Sequence, residues 1–254
     1  MVALPAGKDR RALTGLVPKL ITLGVLLVTY LVVKPPGAPD VAAGVLDPRG
    51  FQFVAVHTPT GEPVRYDPCT TIHYVINPAL APPSGVEDVH RAFEETAKAS
   101  GLKFAYDGTT TETFATDRRI HQPERYGDRW APLLIDWASG LGASQDGAGT
   151  GGGTAVGRGG SAYTVNEQGI PVFVTGSAVF DAGADLRPGF GGETWGQVIL
   201  HELGHVVGLD HVDDPQAIMN PVLGLRPAAF GTGDRAGLWE LGLGRSCIST
   251  PALP

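Results

Sequence analysis

Residues 198–221 read "VILHELGHVVGLDHVDDPQAIMNP". Three of the chain's seven histidines, His201, His205 and His211, fall inside this one stretch. On a helix, residues four apart project from the same face. His201 and His205 therefore stand side by side, at a spacing that suits one metal ion. Glu202 follows His201 directly and is placed to act on a water without being a ligand. Gly208 can adopt a left-handed backbone and stop the helix. The chain then turns back and brings His211 in as a third ligand. Three imidazoles leave the fourth position of a tetrahedral zinc open to water, which is the pattern of a catalytic site rather than a structural one.

The remainder of the chain sets limits. Its 254 residues allow one sizeable domain with accessory segments. A net charge of −7 and no basic stripe beyond the extreme N-terminus argue against a nucleic-acid partner. Thirty-six glycines and twenty-one prolines indicate many turns rather than a helical bundle. The two cysteines, Cys69 and Cys247, are too far apart in sequence for a CxxC zinc knuckle.

Lys8, Arg10, Arg11 and Lys19 precede the uncharged run "LITLGVLLVTYLVV", residues 20–33, which is followed by Lys34 and two prolines. Basic residues before an apolar run keep the N-terminus in the cytoplasm and send the rest outward. Counted back to Leu13, with Lys19 snorkelling, the run reaches the roughly 20 residues that span a bilayer. The division expected is a cytoplasmic 1–12, a transmembrane signal anchor at 13–34, a linker at 35–50 and a catalytic domain at 51–254. Secretion after cleavage in "VAAG", residues 41–44, is the alternative, although that site lies far from the apolar run. On either route the domain faces an oxidising exterior, where a Cys69–Cys247 disulfide is expected.

Periodicity places the elements. "FQFVAV" and "PVRY" suggest a hairpin around "HTPTGE", and "TIHYVIN", "LKFAYD" and "PLLIDWA" read as strands. "SGVEDVHRAFEETAKASG" reads as a helix with a Ser84–Glu87 capping box, a face of Val86, Val89, Phe93 and Ala97, and Gly101 as its stop. Residues 139–160 are glycine-rich and read as a loop. "SAYTV" and "PVFVTGSAVFDA" give further strands around "NEQG". After the helix that carries the histidines, "GDRAGLWELG" reads as a last helix capped by Asp234.

"HELGHVVGLDH" followed by "AIMNP" resembles the metzincin metalloproteases, most closely the matrixins. The likeness is tight over 197–221 and loose over 64–248. It includes "TIHYVIN", "GGSAYTV" and "GSAVFDAGAD" as sheet strands and "FGTGDRAGLWELG" as the final helix. With "DPCTTIHYVINPA" and "QPERYGDRWAPLLI" the whole is similar to matrixin-like proteins of actinobacteria. The resemblance implies an α+β domain with a twisted, mostly parallel sheet, an antiparallel edge strand, an active-site helix, a methionine turn at Met219 and a C-terminal helix. It further implies a zinc endopeptidase in which His201, His205 and His211 hold the metal and Glu202 is the general base. Substrates would be proteins or peptides, paired with the edge strand near Gly160 to Tyr163. Leu223, Leu225 and Phe230 would frame the pocket beyond the scissile bond, and a monomer is expected.

Several departures bear on this reading. Val212 stands where matrixins usually have Ser, and Pro221 where some metzincins place a tyrosine. No cysteine-switch motif is present. Val179 occupies the position of a second-zinc histidine, so a single zinc is expected. Asp181 is the one candidate calcium ligand and reads at least as well as a solvated loop aspartate. Asp210 and Asp213 read as solvated carboxylates rather than as supports behind the metal ligands. An inactive zinc-binding module at the cell surface is the alternative function, against which the intact Glu202 argues.

Overall fold

The structure, a computed structural model, describes residues 40–141 and 155–254. The expected anchor at 13–34 and most of the expected glycine-rich loop lie outside these residues. Among the described residues no helix is long and apolar enough to cross a membrane.

Five strands form the main sheet: β3 (Thr71–Ile76), β4 (Lys103–Thr109), β5 (Leu133–Ala138), β6 (Gly157–Val165) and β7 (Pro171–Asp181), in the order β4-β3-β5-β7-β6. Contacts β3/β4, β3/β5 and β5/β7 are parallel, and β6 pairs antiparallel with β7 at the edge. This is the mostly parallel sheet with an antiparallel edge strand that was expected. β5, "LLIDWA", is buried over its first five residues, as a parallel strand covered on both faces must be. β6 begins at Gly157, so the last four residues of the expected loop are strand instead.

Helix α1 (Gly85–Ser100) crosses between β3 and β4. Its buried face includes Val89, Ala92, Phe93, Thr96 and Ser100, with Val86 and Ala97 at the margin. The hydroxyls of Thr96 and Ser100 are accommodated because each donates to the carbonyl four residues back, at 2.8 and 2.7 Å. The Ser84–Glu87 capping box does not form. Ser84 enters the helix from the Pro82–Pro83 turn with φ 62°, and its side chain makes no capping hydrogen bond. Gly101 stops the helix in the left-handed region, as expected.

The segment before β3 departs further from expectation. β1 (Val41–Ala42) pairs antiparallel with β2 (Val56–His57), so the linker expected at 35–50 is attached to the domain from residue 41 onward. The turn at "HTPTGE" closes, with His57 N–H donating to Glu62 O at 2.8 Å and Val64 N–H to Ala55 O at 2.9 Å. Beyond it the two arms diverge: Phe53 bridges Leu209, and Arg65 bridges Val172. A short helix α2 (Pro123–Tyr126) follows β4 in sequence. The buried Glu112 beside it receives hydrogen bonds from Arg118, Gln122 and Tyr126. Burial pushes the Glu112 carboxyl up, and these donors, Arg118 foremost, bring it below its usual value.

Helix α3 (Trp195–Val207) is buried at every residue and packs against β6, β7 and α1. Helix α4 (Thr232–Leu241) packs on α1 and α3. Asp234 is not the first residue of its cap. It sits one turn inside, and its carboxylate accepts the N–H of Gly231 at 2.8 Å.

Cys69 and Cys247 form the expected disulfide, with Cα atoms 5.5 Å apart. It ties the C-terminal tail to the start of β3 across 178 positions. In the chain-entropy view, closing a loop of that length stabilises by up to about 5 kcal/mol. Replacing both cysteines by serine is expected to lower the unfolding free energy by about 2–5 kcal/mol in urea titrations. An unchanged midpoint would contradict this.

Candidate metal centre

The site is built on α3. Gly204 sits where a Cβ would lie 2.3 Å from Met219 Sδ, so only glycine lets the methionine turn tuck under the helix at this point. Gly208, at φ 126°, ends α3 and redirects the chain, as its position in the sequence suggested. His211 is thereby carried back against the two helical histidines.

The three Nε2 atoms converge. His201 and His205 lie 3.0 Å apart, and each is 3.2 Å from His211. His201 Nδ1 lies 2.7 Å from Ile218 O, and His205 Nδ1 lies 2.7 Å from Leu209 O. A carbonyl only accepts, so both protons sit on Nδ1 and both Nε2 atoms present lone pairs. Two facing lone pairs cannot hydrogen-bond to one another. Burial holds the rings neutral: it lowers His201 to about 3, with His211 adding to the effect, lowers His211 to about 4, and takes His205 well below its usual value. A shared cation resolves this arrangement. Zinc–nitrogen bonds of about 2.0–2.1 Å in a tetrahedron separate ligand nitrogens by roughly 3.3 Å, close to the spacing seen. The donor set therefore fits zinc.

Glu202 is fully buried, and neither carboxylate oxygen has a hydrogen-bond partner. Burial raises its pKa well above the usual range, and the nearby Gly159 amide and Arg158 only temper this. An unpartnered buried carboxyl is costly and, outside functional sites, rare. It lies under the start of β6, where a Cβ on Gly157 would come within 2.6 Å of Glu202 Oε1.

Met219 is buried, and its turn is closed by Val212 N–H to Met219 O at 3.1 Å. Asp234 also accepts the N–H groups of Ile218 (2.8 Å) and Met219 (3.4 Å). The sequence marked this residue only as a helix cap, yet it anchors the turn as well. Gln197, one turn before His201, was not singled out. Its carboxamide binds Gly224 and Arg226 backbone groups, all at 3.2 Å. Arg226 closes the same segment by donating to Val222 O at 2.8 Å and Asn220 O at 3.2 Å. A polar residue in an otherwise apolar helix and a lone charge in "VLGLRPAAF" were the available signals for these two.

The other positions singled out in the sequence are placed as follows. Tyr163 has no exposed surface and cannot offer its side chain to a substrate. Gly160 pairs with Ser177, and the part of β6 beside Glu202 is Gly157–Gly159, nearer the strand's start. Leu223 and Phe230 are buried, whereas Leu225 is 83% exposed. Asp210 is buried and accepts the His211 N–H at 2.6 Å, so it is not a solvated carboxylate. Asp213 is exposed. Val179 lies in the sheet between Asp136 and Arg158. Asp181 accepts Gly183 N–H at 3.0 Å and joins no metal-binding cluster among the described residues.

Residues 159–241 match the matrixin family model. The match spans most of β6, then β7, α3, the methionine turn and α4, and it supports a matrixin-like, metzincin-like domain. It is to the family as a whole and does not extend to the first three strands of the sheet. No curated protein matches the chain.

The lowered histidines have a consequence for the metal-free protein. A folded-state pKa below the unfolded value of about 6.5 means that the unfolded chain takes up protons the folded chain does not. Stability is therefore expected to fall as pH drops from about 6.5 toward 4, with the imidazoles still neutral by NMR at pH 5. Imidazole titration steps near 6.5 for these three residues would contradict the assignment.

Proposed function

We propose that this protein is a zinc-dependent endopeptidase acting on extracellular proteins or peptides. One observation carries the reading: two buried imidazoles and the half-buried His211 converge on a point, and the position after His201 holds a buried carboxyl with no well-formed hydrogen bond. The matrixin match over the same segment supports it.

His201, His205 and His211 would hold the ion. Zinc bound there would supply Lewis acidity, polarising a peptide carbonyl and bringing the pKa of a water toward 7. Glu202 takes the proton of the attacking water and delivers it to the leaving nitrogen. An extended substrate would add to β6, the edge strand of the sheet, near Gly157–Gly159. The braced segment 220–226 would wall the pocket for the side chain beyond the scissile bond, with Leu223 and Phe230 favouring apolar groups. One zinc per chain is proposed, and the chain is proposed to act as a monomer.

The N-terminal basic cluster and apolar run support a single-pass anchor with the domain outside the cell. Cleavage within "VAAG" would remove β1, which pairs with β2. Mature protein recovered from the medium and beginning near Gly44 would show secretion instead.

Glu202→Gln should lower turnover of a quenched peptide by about 10²–10⁴-fold while one zinc per chain remains bound. His205→Ala should lose zinc as well as turnover. Gly157→Ala, whose methyl must displace the Glu202 carboxylate, should lower turnover and keep zinc. A Glu202→Gln protein with zinc and near-normal turnover would refute the proposed reaction.

A further inference from the structure

We infer that Gln52–Val54 is a positioning strap for the metal ligands, with the Gln52 carboxamide acting through Asp210 to set His211. The inference rests on the metal site proposed above and goes beyond it, because the strap lies far from the ligand motif in sequence and outside the segment matched to the family.

Two backbone hydrogen bonds lay the strap along the ligand loop. Asp210 N–H donates to Gln52 O at 2.8 Å, and Val54 N–H donates to Gly208 O at 2.9 Å. Phe53 and Leu209 face each other between them as an antiparallel bridge. The peptide held in this way is the one whose carbonyl, Leu209 O, receives the His205 Nδ1 proton. The strap thus acts on the second ligand through Leu209.

It acts on the third ligand through a side chain. Asp210 is buried, its Oδ1 accepts the His211 N–H at 2.6 Å, and its Oδ2 accepts the Gln52 Nε2 at 3.1 Å. The relay from Gln52 to Asp210 to the His211 backbone spans 158 positions of sequence. His211 lies beyond the end of α3, so helical spacing alone does not set its position. A loop ligand needs outside support to keep its nitrogen within a few tenths of an ångström of a productive place.

The strap is itself fixed at both ends. Phe51 is buried against α4, where a Cβ on Gly237 would come within 2.9 Å of it. Ala55 is buried and accepts the Val64 N–H.

The test uses the full chain, zinc competition against a chromophoric chelator, and the absorption spectrum of the cobalt-substituted protein. Gln52→Glu keeps the shape of a half-buried side chain and replaces the donor with a second carboxylate facing Asp210. Zinc affinity should fall by about 10–100-fold, and the cobalt spectrum should change. Gln52→Lys, which returns a donor, should recover most of the affinity. Arg49→Ala, on the same arm but in a surface pair with Glu240, should bind zinc as the wild type does. Gln52→Glu binding zinc within about twofold of wild type would overturn the inference. Equal losses in Gln52→Glu and Arg49→Ala would overturn it too, since they would reflect general loosening of the arm. A wild-type chain that takes up no zinc would instead refute the metal site proposed above, and the strap's role with it.

Discussion

Two hydrogen bonds from histidine to backbone determine what this site can hold. Ile218 O and Leu209 O each take the Nδ1 proton of a helical histidine. Each bond fixes a ring's orientation and, with it, the tautomer that turns a lone pair inward. With burial opposing protonation, the convergence of three nitrogens at 3.0–3.2 Å suits a shared cation. Both acceptors lie outside α3, one in the methionine turn and one in the loop past Gly208. The metal site therefore depends on how these two loops are held.

Much of the surrounding structure holds them. Gly204 leaves room for Met219 beneath the helix, and Asp234 gathers the amides of Ile218 and Met219 from the first turn of α4. A buried carboxylate that accepts several amide protons is satisfied and rigid, even though burial pushes its pKa up. Glu202 is the opposite case. It is equally buried, yet neither oxygen is engaged in a well-formed hydrogen bond, the nearby Gly159 amide only tempers its raised proton affinity, and the strand above it is glycine at Gly157, where a side chain would displace it. The fold tolerates an unsatisfied polar group at the one position where the proposed chemistry needs a reactive proton acceptor.

The local logic of the site was legible in the sequence because it rests on short-range spacing. Helical periodicity gave His201, His205 and Glu202, the glycine gave the helix end, and His211 followed from the turn. The sheet strands were legible from alternation and apolar runs, and their parallel order from the matrixin resemblance. What escaped depended on long-range partners. The role of Asp234 in the methionine turn, the bracing by Gln197 and Arg226, and the pairing of Gln52–Val54 with Gly208–Asp210 join residues that no local pattern connects. Ser84 was misread because two prolines set its backbone before its side chain could cap.

Three neutral imidazoles would hold one zinc and leave a position open beside Glu202. Zinc K-edge X-ray absorption on the purified, zinc-loaded chain reads this coordination. Three imidazole nitrogens and one light oxygen ligand are expected, all at about 2.0–2.1 Å. A fourth histidine nitrogen or a sulfur ligand, closing the coordination sphere with protein groups, would contradict it.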